Sequence, residues 1–189
     1  FVSLYEVTFD EKWLDISKQL LDYTQEHFFD KTSGMFFYTS DQDQSLIRRT
    51  IEVDDNVISS SNSMMAINLF KLHKLYPDEE YGSLSEQMVK NVQKDFDKRA
   101  QGFSNWLHLV LFQNQRFYEI AVIGEDYKAM GRELAKAYVP QSILVGSKGE
   151  GNLELLKNRE VPGKTLTYIC IEGACKLPVD SAGKALEQL

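Results

Sequence analysis

The chain has 189 residues, 43% hydrophobic and 26% charged, ordinary values for a globular protein of one domain or one and a half small ones. Its 28 acidic residues outnumber 21 basic ones, for a net charge of −7. This argues against a nucleic-acid partner and against an anionic membrane surface, because both select a basic footprint. No apolar run approaches the roughly 20 residues of a membrane span, and the most apolar stretch, Trp106 to Phe112, is short and interrupted by His108. The chain starts at Phe1 without a charged and then apolar leader. It reads as a piece of a longer protein, and an upstream signal peptide stays open. Two cysteines do not make a disulfide framework and favour a reducing, cytoplasmic setting.

The first elements read as helices. Thr8 and Glu11 have the spacing of a capping box, with Trp13, Ile16, Leu20 and Tyr23 recurring on one face behind it. Phe28 and Phe29 close that helix before the turn cluster Asp30 to Gly34, and Met35 to Thr39 is extended in character. Ser60, Ser61 or Asn62 can cap a second helix, whose positions Met65, Leu69, Leu72 and Tyr76 are widened by Met64, Ile67 and Phe70 until Pro77 stops it. A third helix carries Leu84, Met88, Val92 and Phe96 inside and Lys90, Lys94 and Lys98 on a solvated face. Gly102 breaks the pattern, and a fourth helix runs from about Phe103 to Phe112.

The period then changes. Tyr118 to Gly124 is a compact apolar run, the signal of a buried strand. A helix from Asp126 with Tyr127, Met130, Leu134 and Ala137 on one side ends at Pro140. Ser142 to Gly146 is a second strand, Leu153 to Leu156 a short helix, Thr165 to Cys170 a third strand, and Asp180 or Ser181 starts a last helix. Strand, helix, strand implies a parallel pair joined by a right-handed crossover. The expected architecture is mixed α and β: a helical segment over 1–117, then a small three-stranded β-α-β unit over 118–189.

The segment with the densest chemistry runs from Arg49 to Ser63 and opens directly into an apolar helix. Loops of this kind present polar groups on a rigid scaffold. Arg49 can clamp a carboxylate or phosphate, or orient a sugar hydroxyl. Glu52 and Asp55 can exchange protons or bind hydroxyls, and Ser60, Asn62 and Ser63 can bind ligand edges. The plainer alternative pairs Glu52 and Asp55 with Arg48 or Arg49 and leaves Ser60 and Asn62 as helix caps.

These residues resemble the C-terminal region of the spermatogenesis-associated thioredoxin-like family. That family's run reads approximately Arg-x-Lys-Glu-x-x-Asp-x-Ala-x-Pro-Ser-x-Asn-Ser, and Arg49, Glu52, Asp55, Ser60, Asn62 and Ser63 occupy matching places, with Ile51 for the lysine and Ser59 for the proline. Gly34 to Thr39, Ile120 to Gly124, Tyr168 to Cys170 and Ala174 to Val179 look like further family stretches in the same order. The resemblance implies a thioredoxin-like domain followed by an (α/α)6 toroid similar to N-acylglucosamine 2-epimerases, of which this chain would hold the last helical hairpins. It thus implies a missing N-terminal domain and toroid half. It also implies a cavity for a saccharide or similar polar metabolite lined by the Arg49 to Ser63 loop, and uncovered helix faces that would lead the fragment to self-associate or to pack its α/β unit over the gap.

Other motifs carry less. Cys170 and Cys175 lack the spacing of a CxxC motif, and nothing beside them completes a zinc site. They are a candidate redox pair, or simply two small buried residues. His27, His73 and His108 fall on separate helices without ligand spacing. Gly146 to Gly151 is glycine-rich but fits neither phosphate-binding fingerprint. No cofactor or metal is expected, and no catalytic base can be assigned. Three functions compete: a sugar epimerase or glycosidase-like enzyme, a redox-linked binding protein, and a structural module serving the thioredoxin-like domain.

Overall fold

In the computed structural model, residues 1–43, 48–77 and 79–189 are described, Glu79 in its backbone alone. The described residues hold seven α-helices, a two-stranded sheet and a four-stranded sheet. The chain divides into two compact units, one formed by Phe1–Leu14, Lys74–Pro77 and Gln115–Leu189, the other by Asp15–His73 and Asp78–Asn114. The last division falls between Asn114 and Gln115, and the first fourteen residues and Lys74–Pro77 group with the C-terminal part.

The α/β unit is built on strands β3 (Tyr118–Ile123), β4 (Ser142–Ser147), β5 (Leu166–Ile171) and β6 (Ala174–Cys175), in the order β4-β3-β5-β6. β3 and β4 are parallel, as the strand–helix–strand order requires, and the intervening helix is α6 (Tyr127–Leu134). β5 runs antiparallel to β3, and β6 antiparallel to β5. The three-stranded expectation therefore falls one strand short. β6 has two residues, both exposed, so no alternation of apolar and polar positions announces it. Central β3 reads as a nearly continuous apolar run because both its faces are covered. On one face Ile120, Val122, Leu134, Ile169 and Ala185 form a core with Tyr127, Met130 and Val179 packed around it. The 3₁₀ turn Glu154–Leu156 lies against β3 and β4.

Helix α1 (Val2–Thr8), which the sequence pattern did not announce, belongs to this unit. Thr8 ends it and starts nothing: its hydroxyl donates to the Leu4 carbonyl at 2.6 Å. Phe9 follows in the left-handed conformation (φ 56°), and its amide donates back to the Tyr5 carbonyl at 2.7 Å. The capping-box expectation is corrected: Asp10 opens helix α2 (Lys12–Phe28), its carboxylate accepting the Lys12 amide at 3.2 Å. Phe9 tolerates that conformation because its ring is clamped. A Cβ on Gly131 of α6 would lie 2.5 Å from the ring and one on Gly146 of β4 3.1 Å, so both glycines make room for it.

The helical unit holds most of α2, the hairpin of β1 (Phe29–Asp30) and β2 (Met35–Phe36), and the helices α3 (Ser61–Leu75), α4 (Glu79–Val92) and α5 (Ser104–Asn114). Asp30 builds the hairpin turn by accepting from the Thr32 and Ser33 amides at 3.1 and 3.2 Å. The buried row of α2 is Leu14 and Leu21; Leu20 and Tyr23, expected inside, are 48% and 46% exposed. Within this unit Leu69, Phe70 and Leu72 of α3, Met88 and Val92 of α4, and Phe103, Trp106 and Leu109 are buried. Lys90, Lys94 and Lys98 are exposed, as a solvated face requires.

Candidate functional site

The Arg49 to Ser63 segment lies wholly in the helical unit, and Asp55, Ser60, Asn62 and Ser63 are buried within it. Asp55 is its centre and is only 8% exposed. The carboxylate accepts four hydrogen bonds: from the Ser60 amide at 3.1 Å, the Ser63 hydroxyl at 2.6 Å, and the Asn105 amide and side-chain amide at 2.8 and 2.9 Å. The Asp55 amide donates to the Gly102 carbonyl at 2.7 Å. Burial pushes this carboxyl up, but the hydrogen bonds from Ser63, Asn105 and Ser60 outweigh it and hold Asp55 below the ordinary carboxylate range. One side chain thus ties the loop to the start of α3 and the start of α5.

The neighbouring residues are similarly committed. Ser60 is the N-cap of α3, its hydroxyl accepting the Ser63 amide at 3.0 Å. Asn62, fully buried, accepts the Phe36 amide and donates to the Phe36 carbonyl, both at 2.8 Å, as though it were a third strand beside β2. It also donates to the Glu52 carbonyl at 2.8 Å. Arg49 forks onto backbone rather than onto an acid: it donates to the Thr39 carbonyl from Nε and Nη2 at 3.0 and 2.7 Å, and from Nη2 to the His27 carbonyl at 2.8 Å. Its guanidinium stacks 4.2 Å from the Phe37 ring centroid.

The structure thus brings Asp55, Ser60 and Ser63 into one network and Asn62 onto the same loop, while Arg49 braces the hairpin end. Neither Glu52 nor Asp55 pairs with Arg49; the acid in this loop that meets an arginine is Asp54, bidentate to Arg99 at 2.9 and 2.9 Å. Glu52 is exposed, and its carboxylate stands outside these hydrogen bonds. Asn105 and Trp106, whose Nε1 donates to the Val53 carbonyl at 2.8 Å, were missed from the sequence. They lie some fifty positions on, inside an apolar helix, and no local signal links them to the loop.

Cys170 and Cys175 face each other across β5 and β6 and are joined as a disulfide. Cys170 is fully buried whereas Cys175 is exposed, so the pair is not simply two buried residues. His27 meets Asp41 at 3.0 Å on the surface, and the His73 ring packs against Gly82. Among the described residues no group of three or more His, Cys, Asp and Glu side chains could hold a metal. In the α/β unit a cleft of about 690 Å³ opens beyond the end of β3, lined by Glu125, Asp126, Lys164, Thr165, Asp180 and Lys184 among others.

No family model matches the chain. Spermatogenesis-associated protein 20 of Rattus norvegicus is 23% identical over 190 residues that take in 94% of this chain and 24% of the relative. The Mus musculus protein of the same name is 22% identical with the same coverage. The chain therefore spans about a quarter of the length of the curated relatives it matches, 24% in each case, and fits a fragment of a protein of that kind.

Proposed function

We propose that this chain is a structural module of a longer protein related to spermatogenesis-associated protein 20, and that the 49–63 segment is its internal brace. The observation that carries this reading is the Asp55 carboxylate, whose four accepted hydrogen bonds all come from the protein itself. A ligand competing for Asp55, Ser63 or Asn62 would have to break bonds that are already short and buried, leaving orphaned donors behind. The upstream part of the longer protein, a thioredoxin-like domain and the remaining helices of an (α/α) toroid, would carry any chemistry. Apolar side chains left on the helical unit, among them Val57 at 99% and Ile58 at 76% exposure, would then be covered by those helices. Without them, the isolated chain is expected to self-associate.

A second reading, a saccharide or similar polar metabolite, is favoured by the cleft beside Asp126, Lys164 and Asp180, whose volume of about 690 Å³ falls within the range of ligand pockets. A thermal-shift screen against sugars and sugar phosphates separates the two. The brace reading predicts no shift that is sensitive to Glu52→Gln, whose exposed carboxylate stands outside the Asp55 network. A saturable shift abolished by Glu52→Gln would place a ligand on the loop after all. A shift abolished by Lys164→Ala would move the ligand to the cleft and leave the brace intact.

A further inference from the structure

We infer that the Cys170–Cys175 hairpin is a thiol–disulfide exchange site, with Cys175 as the attacked sulfur and Arg159 as the cation that stabilises its thiolate. The two cysteines are direct cross-strand partners, and Ile171 pairs with Ala174. Glu172 and Gly173 form the turn between them with φ of 49° and 76°, the two left-handed residues that a tight hairpin turn demands. The turn is held from below: the Glu119 carboxylate, 4% exposed, accepts the Gly173 amide at 3.0 Å and lies 3.6 Å from the Lys74 ammonium.

The pair is asymmetric. Cys170 is fully buried on the sheet, whereas Cys175 faces solvent. Nη2 of Arg159 lies 3.1 Å from the Cys175 sulfur. Arg159 is itself fixed: it donates to the Leu155 carbonyl, its guanidinium lies 5.6 Å from the Tyr168 ring centroid, and its own carbonyl accepts the Tyr168 hydroxyl at 2.8 Å. A fixed guanidinium beside an exposed sulfur favours the thiolate. Cross-links gain stability by closing long loops, and this one joins residues only five apart. The ladder also continues past it, from the Lys176 amide to the Ile169 carbonyl at 2.9 Å and across Thr167 and Val179. The hairpin therefore stands without the bond, which suits a bond that opens and closes.

The partner is a dithiol. One of its thiolates attacks the Cys175 sulfur, forming a mixed disulfide; the bond to Cys170 breaks, and Cys170 leaves as a thiolate that takes a proton from water. The second thiol of the partner, deprotonated, attacks its own sulfur in the mixed disulfide and releases Cys175 as a thiolate beside Arg159. The partner ends as a disulfide, and two electrons have passed to the pair. The reverse sequence oxidises the pair at the expense of a partner disulfide.

The test uses the whole chain. Dithiothreitol should open the bond under native conditions, read as two alkylated thiols by mass spectrometry, with the far-ultraviolet circular dichroism unchanged. With Cys170→Ser, the remaining Cys175 thiol should react with an aromatic disulfide reagent roughly ten-fold or more faster than Cys170 does in Cys175→Ser. Adding Arg159→Gln to Cys170→Ser should slow the reaction near neutral pH and move its pH profile upward, a change that loss of packing alone would not cause. A bond that opens only with unfolding, equal reactivity of the two thiols, or a pH profile indifferent to Arg159 would each overturn the inference. The site lies in the α/β unit, so its failure would leave the brace reading of the 49–63 segment untouched.

Discussion

Replacing Asp55 by Ala is expected to lower the unfolding free energy by roughly 3–5 kcal/mol, because up to four donors lose their acceptor at about 1 kcal/mol or more apiece. Asp55→Asn keeps one acceptor oxygen and the shape of the side chain, so it should cost less. It should also remove a pH dependence. The folded carboxyl is held below its ordinary value despite burial, so its contribution is fully present above the unfolded pKa and is lost as pH falls through the folded one. The wild-type chain should therefore lose stability to acid below about pH 4, the ordinary carboxylate range, by more than Asp55→Asn does. Urea unfolding at neutral and acid pH reads both effects. Equal acid sensitivity of the two proteins would mean that Asp55 is not held as described.

Trp106→Ala should be comparably severe, roughly 3–5 kcal/mol, since it empties the volume of a fully buried indole and orphans the Val53 carbonyl. Trp106→Phe separates the two contributions. It retains most of the apolar contact and loses the hydrogen bond, and about 1–2 kcal/mol is expected. If Phe proved as damaging as Ala, packing would not be the dominant contribution of this residue. Both variants act on the same joint as Asp55, because Trp106 follows Asn105 and holds the loop two residues before Asp55. The double variant Asp55→Ala/Trp106→Ala should therefore cost less than the sum of its parts.

The hydrophobic runs and their punctuation made much of the fold legible. The apolar run at Tyr118, the helix behind Asp126 and the run at Ser142 predicted a parallel pair that the register of β3 and β4 reproduces. A cap at Ser60, Ser61 or Asn62 was readable before an apolar helix, and the structure gives the role to Ser60. Helix α1 was not legible: only Val2 and Tyr5 of its seven residues are buried, and no side chain caps it. Thr8 then imitated a start where it is a finish. The face of α2 was rotated, because Leu14 and Leu21 carry the burial while Leu20 and Tyr23 fit the period equally well.

The candidate site was legible as a cluster and illegible as a network. Arg49, Asp55, Ser60, Asn62 and Ser63 stand close in sequence and are the residues the structure uses, but their acceptors and donors are not written nearby. Arg49 spends its donors on the carbonyls of Thr39 and His27, and Asp55 takes Asn105 across fifty positions. Backbone partners and distant amides leave no residue-type signature, so a polar loop that braces reads the same as one that binds. The cysteines show the same limit from the other side. A spacing of five fits no metal or redox motif, and the pairing follows from a turn at Glu172 and Gly173 that only the backbone reveals.

The brace is tested most directly by native-state hydrogen exchange at the Ser60 and Asn105 amides, both of which donate to the Asp55 carboxylate. These two amides should exchange as slowly as the buried helices of the unit, and in Asp55→Asn at least the Asn105 amide should become markedly faster. Exchange of both amides at the rate of an open loop in the wild-type chain would contradict the account, and would return the Asp55 carboxylate to the pool of groups free to meet a ligand.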